Sequence, residues 1–411
     1  MKERLRTGWH MVTLLVFLAL WYGMWRYVLT PQYKRHMAEV PLLGSAPNAE
    51  KDFPRVAALI PARNEEEALG FSLRTLGLQQ GVELIVLAAN DQSSDSTGAI
   101  ADALAAEFPG RIQALHLNQA PPPGWMGKCN ALHQAYRHVP KDVDWLLFSD
   151  ADVLHEPNTL ARAIAHAEEA GADLLTILPR LDCYGFWEHA ALPLVNHVGM
   201  VFLQPEKVMD PESRKFAGIG AFTLVRRSAY DAIGGHEAIK GEIIDDMGLA
   251  WKVKTGGGRL VLCQDPGAVH LRMYSDLGSI FRGFRKNMTA GLDRPLLGGI
   301  FGALFFGFVY GAPLLFALGA LGLVLGGSIL GGLIVLATTG AVWHAVGRLF
   351  EESVAGSFRF QGWKVRLGYP LGGALMAATM LASTWEGAIR GKNTWRGRTL
   401  ERPKQELRLM Q

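Results

Sequence analysis

The chain has 411 residues, 49% of them hydrophobic, and a formal net charge of +3. That is longer than one ordinary domain needs and more apolar than a freely soluble enzyme, so membrane segments are expected, while so small a charge argues against general nucleic-acid affinity. Cys129, Cys183 and Cys263 lack C-x-x-C or paired spacing, which speaks against a disulfide framework or zinc site and fits a reducing, cytoplasmic domain.

In chain order, residues 1–32 read as an uncleaved anchor. The apolar segment from Trp9 to Leu29 follows Lys2, Arg4 and Arg6, exceeds a signal-peptide core, and has no A-x-A-like cleavage site after it. Residues 50–292 alternate short apolar runs with helical spacing, which predicts one α/β domain with a mostly parallel sheet. Val56–Ile60 is a strand stopped by Pro61, Glu65 to Leu78 has helical spacing, and Glu83–Ala88 is a second strand. The polar stretch Asp91–Thr97 is a turn suited to cap a helix beginning near Thr97. Trp145–Phe148 is a further strand, ending at Asp150-Ala151-Asp152. Open α/β sheets bind ligands at the carboxyl ends of their strands. Two carboxylates in a D-x-D step there are hard oxygen ligands for Mg²⁺ or Mn²⁺ carrying a diphosphate. Asp245-Asp246 opens a later amphipathic stretch; adjacent like charges raise one carboxyl pKa, although an acidic first turn favoured by the helix dipole explains the pair equally well in isolation.

Residues 293–345 form a membrane hairpin in this reading. Leu296 to Trp343 carries no charged residue and is long enough for two spans of about 20 residues each. Arg282, Arg285, Lys286 and Arg294 precede it and Arg348, Arg359, Lys364 and Arg366 follow, so by the positive-inside rule the hairpin turns outside and both flanks are cytoplasmic. Residues 346–411 hold a last apolar stretch, Leu367 to Trp385, and a basic tail containing Arg390, Lys392, Arg396, Arg398, Arg402, Lys404 and Arg408. The stretch is either a fourth span or, because a basic tail outside would break the same rule, an interfacial or re-entrant helix.

Five motifs occur in register: Ile60-Pro61-Ala62-Arg63-Asn64-Glu65, Asn90-Asp91 through Thr97, Gly127-Lys128-Cys129-Asn130-Ala131-Leu132, Asp150-Ala151-Asp152 and Asp245-Asp246. Their order and spacing resemble family-two glycosyltransferases with a GT-A (Rossmann-like) fold. With membrane helices on both sides the chain is most similar to bacterial hopanoid- and carotenoid-associated glycosyltransferases, and more distantly to ceramide glucosyltransferase.

The resemblance implies a site. Pro61, Ala62 and Glu65 line the nucleoside pocket and Asp91 contacts the base; Asn90 stands where the family commonly has an Asp. Lys128 reaches the diphosphate as a point cation, and Cys129 beside it packs. Asp152 ligates the metal and Asp150 the ribose or a metal-bound water. Asp246 is the general base, supported by Asp245, after a small-residue turn around Gly220. Arg282 and Arg285 match the basic box facing the diphosphate, with Lys286 in place of the family's Trp, which speaks against a processive polymer synthase. His270 is either a phosphate or metal contact or structural. Phe186 to Leu203, apolar but interrupted by Pro193, Asn196 and His197, either lies in the interface and admits a lipid acceptor or packs on the core.

The implied activity is metal-dependent, inverting transfer from a nucleotide-sugar donor, UDP-glucose first, to a membrane-lipid hydroxyl, by a multi-pass cell-membrane protein whose catalytic domain is cytoplasmic. Two alternatives stand beside it: a polyprenyl-phosphate sugar synthase, and a non-catalytic membrane scaffold that retains a sugar-nucleotide fold.

Overall fold

The computed structural model describes residues 2–45, 54–289, 295–386, 392–395 and 398–401. Seven strands form the main sheet: β1 (Arg55–Ala62), β2 (Glu83–Asn90), β3 (Ile112–His116), β4 (Trp145–Phe148), β6 (Leu174–Leu178), β8 (Thr223–Arg226) and β9 (Leu260–Gln264). They lie in the order β3-β2-β1-β4-β8-β6-β9. Every neighbouring pair is parallel except those made by β8, which runs against both β4 and β6. The central strands are apolar on both faces, as in parallel sheets covered by helices on each side; β4, for instance, is buried at all four positions. The mostly parallel α/β architecture expected from the sequence is the one present, and its order reverses beside β4, where the D-x-D begins.

Two expected boundaries shift. Strand β1 continues through Pro61, whose partner is Ala89 on β2, whereas pairing with β4 ends at Leu59 opposite Phe148. A residue without an N–H is tolerated where one neighbour has stopped. The helix expected from Glu65 begins only at Leu69 and ends at Gly77. The amides of Asn64, Glu65 and Glu66 instead donate to Ser93, Thr97 and Asp95 side chains (3.0, 2.8 and 3.3 Å), so the loop after β2 takes the donors of a first helical turn. Asp95 also accepts from the Thr97 amide at 3.0 Å, at the start of the helix Thr97–Glu107.

A smaller sheet joins β5 (Val153–His155), β7 (Arg180–Asp182) and β10 (Val269–Leu271) with β11, Phe358–Arg359, in the order β11-β7-β10-β5. β11 comes from beyond the apolar helices, in the segment assigned by sequence to residues 346–411.

Among the described residues two helices, Gly8–Ala38 and Ile329–Ser357, are long and apolar enough to cross a membrane. Between them the expected first arm of the hairpin is broken: Pro295–Val309 and Ala312–Leu325 meet at 67°. Pro313 lies in the first turn of the second piece, where its missing N–H costs no helical bond and the ring prevents a straight continuation. Gly373 presses on this break; a Cβ there would sit 2.7 Å from the Gly311 nitrogen. The final apolar stretch is a helix, Gly362–Thr384, and is not among the helices apolar enough to span by length and composition. It packs on Phe186–Leu203, with Gly368 and Gly372 against Ala190: an added Cβ at Gly372 would lie 1.8 Å from the Ala190 carbonyl oxygen. Of the basic tail, Arg390, Arg396, Arg402, Lys404 and Arg408 lie outside the described residues.

Candidate active site

The carboxyl ends of β1, β2 and β4 open into a cavity of about 550 Å³. Pro61, Ala62 and Glu65 come to it from the end of β1, Asp91 from β2, and Asp150 and Asp152 from β4. Lys128 enters from the first turn of the helix Gly127–Tyr136 and Asp245-Asp246 from the first turn of the helix Asp245–Thr255. Gly220 completes this wall. Motifs up to 185 positions apart, from Pro61 to Asp246, thus line one space.

Lys128 is the electrostatic centre. Its Nζ donates to Asp150 Oδ1 at 2.7 Å and lies 3.0 Å from Asp245 Oδ1, with its side chain 24% exposed. Burial alone would lower its pKa, but Asp150, Asp245 and Asp246 outweigh that and hold the ammonium well above its ordinary range. Asp246 shows the opposite balance: burial, then the charge of Asp245, raises its carboxyl to about 7, against the counter-pull of Lys128. A carboxylate poised near neutrality is suited to accept a proton.

The small-residue turn is sterically required. A Cβ at Gly218 would lie 2.0 Å from the Asp246 carbonyl oxygen, and one at Gly220 would meet Asp150 Oδ2 at 2.7 Å and Asp246 Oδ2 at 3.3 Å. The Gly220 carbonyl accepts from the Asp150 amide at 3.0 Å, tying the D-x-D to this turn. Ser149, just before it, donates to the Ala221 carbonyl at 2.8 Å.

Asp91 is buried, with Arg63 Nη1 3.8 Å from its carboxylate and donating to its carbonyl at 2.5 Å, so it is a cavity residue rather than a helix cap. Asn90 turns away, 3.1 Å from the His116 ring. Cys129 is buried, its thiol 3.5 Å from the Ile239 carbonyl.

The basic box divides differently from expectation. Arg285 pairs with Glu386 at 3.2 Å and neither it nor Arg282 is among the cavity-lining residues; Lys286 and Asn287 are. Of the helix Leu277–Asn287 the cavity meets the last turn, Phe284, Lys286 and Asn287, and not Arg282, which lies one turn earlier on the same side as Lys286. His270 pairs with Asp182 at 3.1 Å, across the small sheet, outside the cavity lining.

Sequence reasoning did not resolve the role of Phe186–Leu203. One face, with Ala190, packs on Gly362–Thr384, while Leu192, Val195, Asn196, Gly199 and Met200 line the cavity. That spacing of three and four was readable in the sequence as one helix face, but the side it would meet was not. Arg63, inside the first motif, was also passed over.

Among the described residues no group of three or more His, Cys, Asp or Glu side chains forms a ready cage for a metal. Asp150 and Asp152 beside an open cavity nevertheless fit a hard divalent ion of the Mg²⁺ type, which keeps waters and takes one or two carboxylates together with substrate phosphates.

The profile described as "Glycosyl transferase family 2" matches residues 57–234. The 4,4'-diaponeurosporenoate glycosyltransferases of Staphylococcus aureus (strain MRSA252) and Staphylococcus haemolyticus (strain JCSC1435) are 27% and 25% identical over 239 residues, 57% of this chain. The match covers 60% and 61% of their lengths, so the chain spans about three-fifths of these curated relatives. A mannosyltransferase from Pyrobaculum calidifontis, solved with GDP-Man and Mn²⁺, superposes with a TM-score of 0.50 at 16% identity, covering 92% of this chain and 99% of its own. That likeness is one of fold, the GT-A arrangement of a mostly parallel sheet. Residues 57–234 thus match the glycosyltransferase family 2 model, and the motifs within them up to Gly220 gather at one sheet edge.

Proposed function

We propose that the protein is a membrane-anchored, metal-dependent, inverting glycosyltransferase that moves a sugar from a nucleotide-sugar donor, UDP-glucose first, to the hydroxyl of a membrane lipid at the cytoplasmic face. The observation that carries this reading is the continuity of the cavity. Its charged end holds Lys128, Asp150, Asp152 and Asp246, and its other end is walled by an apolar helix that touches the N-terminal spanning helix, where Tyr33 donates to Asn196 at 3.0 Å. One space thus offers a polar seat for a nucleotide diphosphate and an apolar one for an acceptor.

In this mechanism Pro61, Ala62, Glu65 and Asp91 hold the nucleoside at the ends of β1 and β2. Lys128, already cationic, meets the diphosphate. Asp150 and Asp152 hold a divalent ion, Mg²⁺ or Mn²⁺, which when bound neutralises charge on the departing diphosphate. The Mn²⁺ and GDP-Man of the Pyrobaculum mannosyltransferase are consistent with that assignment. Asp246 accepts the proton of the acceptor hydroxyl as its oxygen attacks the anomeric carbon, and Asp245 and Lys128 set how strongly it does so. A single displacement inverts the anomeric centre. The lipid class of the acceptor is in keeping with relatives that glycosylate 4,4'-diaponeurosporenoate.

The test mixes the full chain, purified in detergent, with nucleotide sugars, Mg²⁺ or Mn²⁺ and total membrane lipid, and follows nucleoside-diphosphate release beside Asp152→Ala. Donor-selective, metal-dependent release that the variant abolishes, with label in the lipid phase, is expected. No release from folded protein with any donor would move the assignment to a non-catalytic scaffold. Full activity in Asp246→Asn would favour a phosphate acceptor, which needs no strong base.

A further inference from the structure

We infer that Gly199 sets the width of an acceptor channel for an apolar chain, between the helices Phe186–Leu203 and Leu277–Asn287; the inference rests on the lipid-acceptor reading above and names its specificity-determining residue. A glycine inside a helix costs about 1 kcal/mol relative to alanine, so its presence calls for a physical reason. Elsewhere in this helix contact the reason is packing: Gly368 and Gly372 let Ala190 approach. Gly199 has no such neighbour, because a Cβ built there meets nothing within 4 Å. It belongs instead to the cavity face of its helix, one turn from Val195 and beside Met200. Phe284 faces the same space from the second helix.

The channel leads to the chemistry. The same cavity is lined by Met247 and Asp246, so a chain lying along Leu192, Val195 and Gly199 presents its polar end to Asp246. Along that path the walls are mostly apolar, which suits a hydrocarbon and gives a water-soluble sugar little to bind. A side chain at position 199 therefore enters the acceptor's path while leaving Lys128, Asp150 and Asp152 untouched.

The experiment uses the full chain in lipid nanodiscs, with radiolabelled UDP-glucose, Mn²⁺ and total membrane lipid, and compares Gly199→Ala, Gly199→Val and Gly199→Phe. The control is Gly340→Phe, the same change at an exposed site on Ile329–Val354 where a Cβ also meets nothing. Lipid-phase label is expected to fall in step with side-chain size, by about 100-fold or more for phenylalanine. UDP–Mn²⁺ affinity in the same variants should stay within about twofold, since no donor contact is altered. Gly340→Phe should match the unaltered protein.

Unchanged lipid labelling in Gly199→Phe overturns the inference, and so does parallel loss of UDP–Mn²⁺ binding. If the unaltered protein labels no lipid from any donor, the activity assignment fails separately. A long-chain alcohol bearing a diazirine then decides the channel: cross-links to the Leu192–Met200 face that Gly199→Phe abolishes uphold it, and no cross-links there overturn it.

Discussion

The two ends of the cavity are built in opposite ways. At the polar end, charges fix position: one lysine bridges two aspartates at 2.7 and 3.0 Å, and glycines at 218 and 220 let the carboxylates close in. At the apolar end, shape fixes position, through a helix pressed by glycine contacts against another helix and anchored by Glu188, which is fully buried and bridged by Arg272 at 2.8 Å. Electrostatic sites fail when one charge is lost, whereas packed walls fail when volume changes. The variants that follow separate these two modes of failure.

The largest effect is expected from Asp246→Asn, which removes the proposed base but keeps its shape: kcat should fall by about 10³-fold with UDP affinity preserved, measured by single-turnover transfer. Next is Gly218→Ala, whose Cβ has only 2.0 Å to the Asp246 carbonyl. The helix start must shift, and a displacement of that size should lower kcat by about 10²-fold. Arg272→Ala tests the other end. It leaves the buried Glu188 without its bridging guanidinium, and because Arg272 is itself 44% exposed the loss should be about 2 kcal/mol, read as a lower melting temperature with little change in kcat for the protein that remains folded.

The smallest effect is a pH dependence. Asp246 must be ionised to accept a proton, so transfer in the unaltered protein should rise as pH passes through about 7 and level off above it. The carboxyl is raised relative to its unfolded value, so the folded state binds more protons between the two, and stability contributed by this group falls as pH rises from about 4 to about 7. Lys128→Met removes the cation that opposes the raising influences of Asp245 and Asp150, and should move the inflection upward. An inflection unchanged in Lys128→Met, read from the pH profile of kcat, would contradict that coupling.

The polar end was legible because its chemistry sits in short motifs at strand ends: Asp150 and Asp152 follow the buried β4, and Lys128 follows a glycine at a helix start. Their convergence follows from a parallel sheet, in which successive strands deliver their ends to one edge. The apolar end was not, since the face of Phe186–Leu203 depends on a partner helix some 170 residues later, from Gly362. The sequence likewise favoured Arg282 and Arg285 over Lys286, because a motif fixes spacing but not how far along a helix the cavity reaches: Arg282 and Lys286 share a side, and it is the last turn that lines the space. The broken arm at Tyr310-Gly311 escaped a reading by hydropathy alone, which counts apolar residues and is blind to the bend at Pro313.

The strand β11 has a consequence for how the protein comes into being. Phe358 and Arg359 complete the small sheet by pairing with Leu181 and Asp182, yet they are synthesised only after the apolar helices between residues 295 and 354. During translation, β7 therefore waits with an open edge, a hazard for mispairing with other chains, until the apolar segments have emerged and the chain has returned. A fragment ending near residue 292 would keep that edge exposed permanently, so the α/β domain and the apolar helices that follow it are expected to mature as one unit rather than in succession.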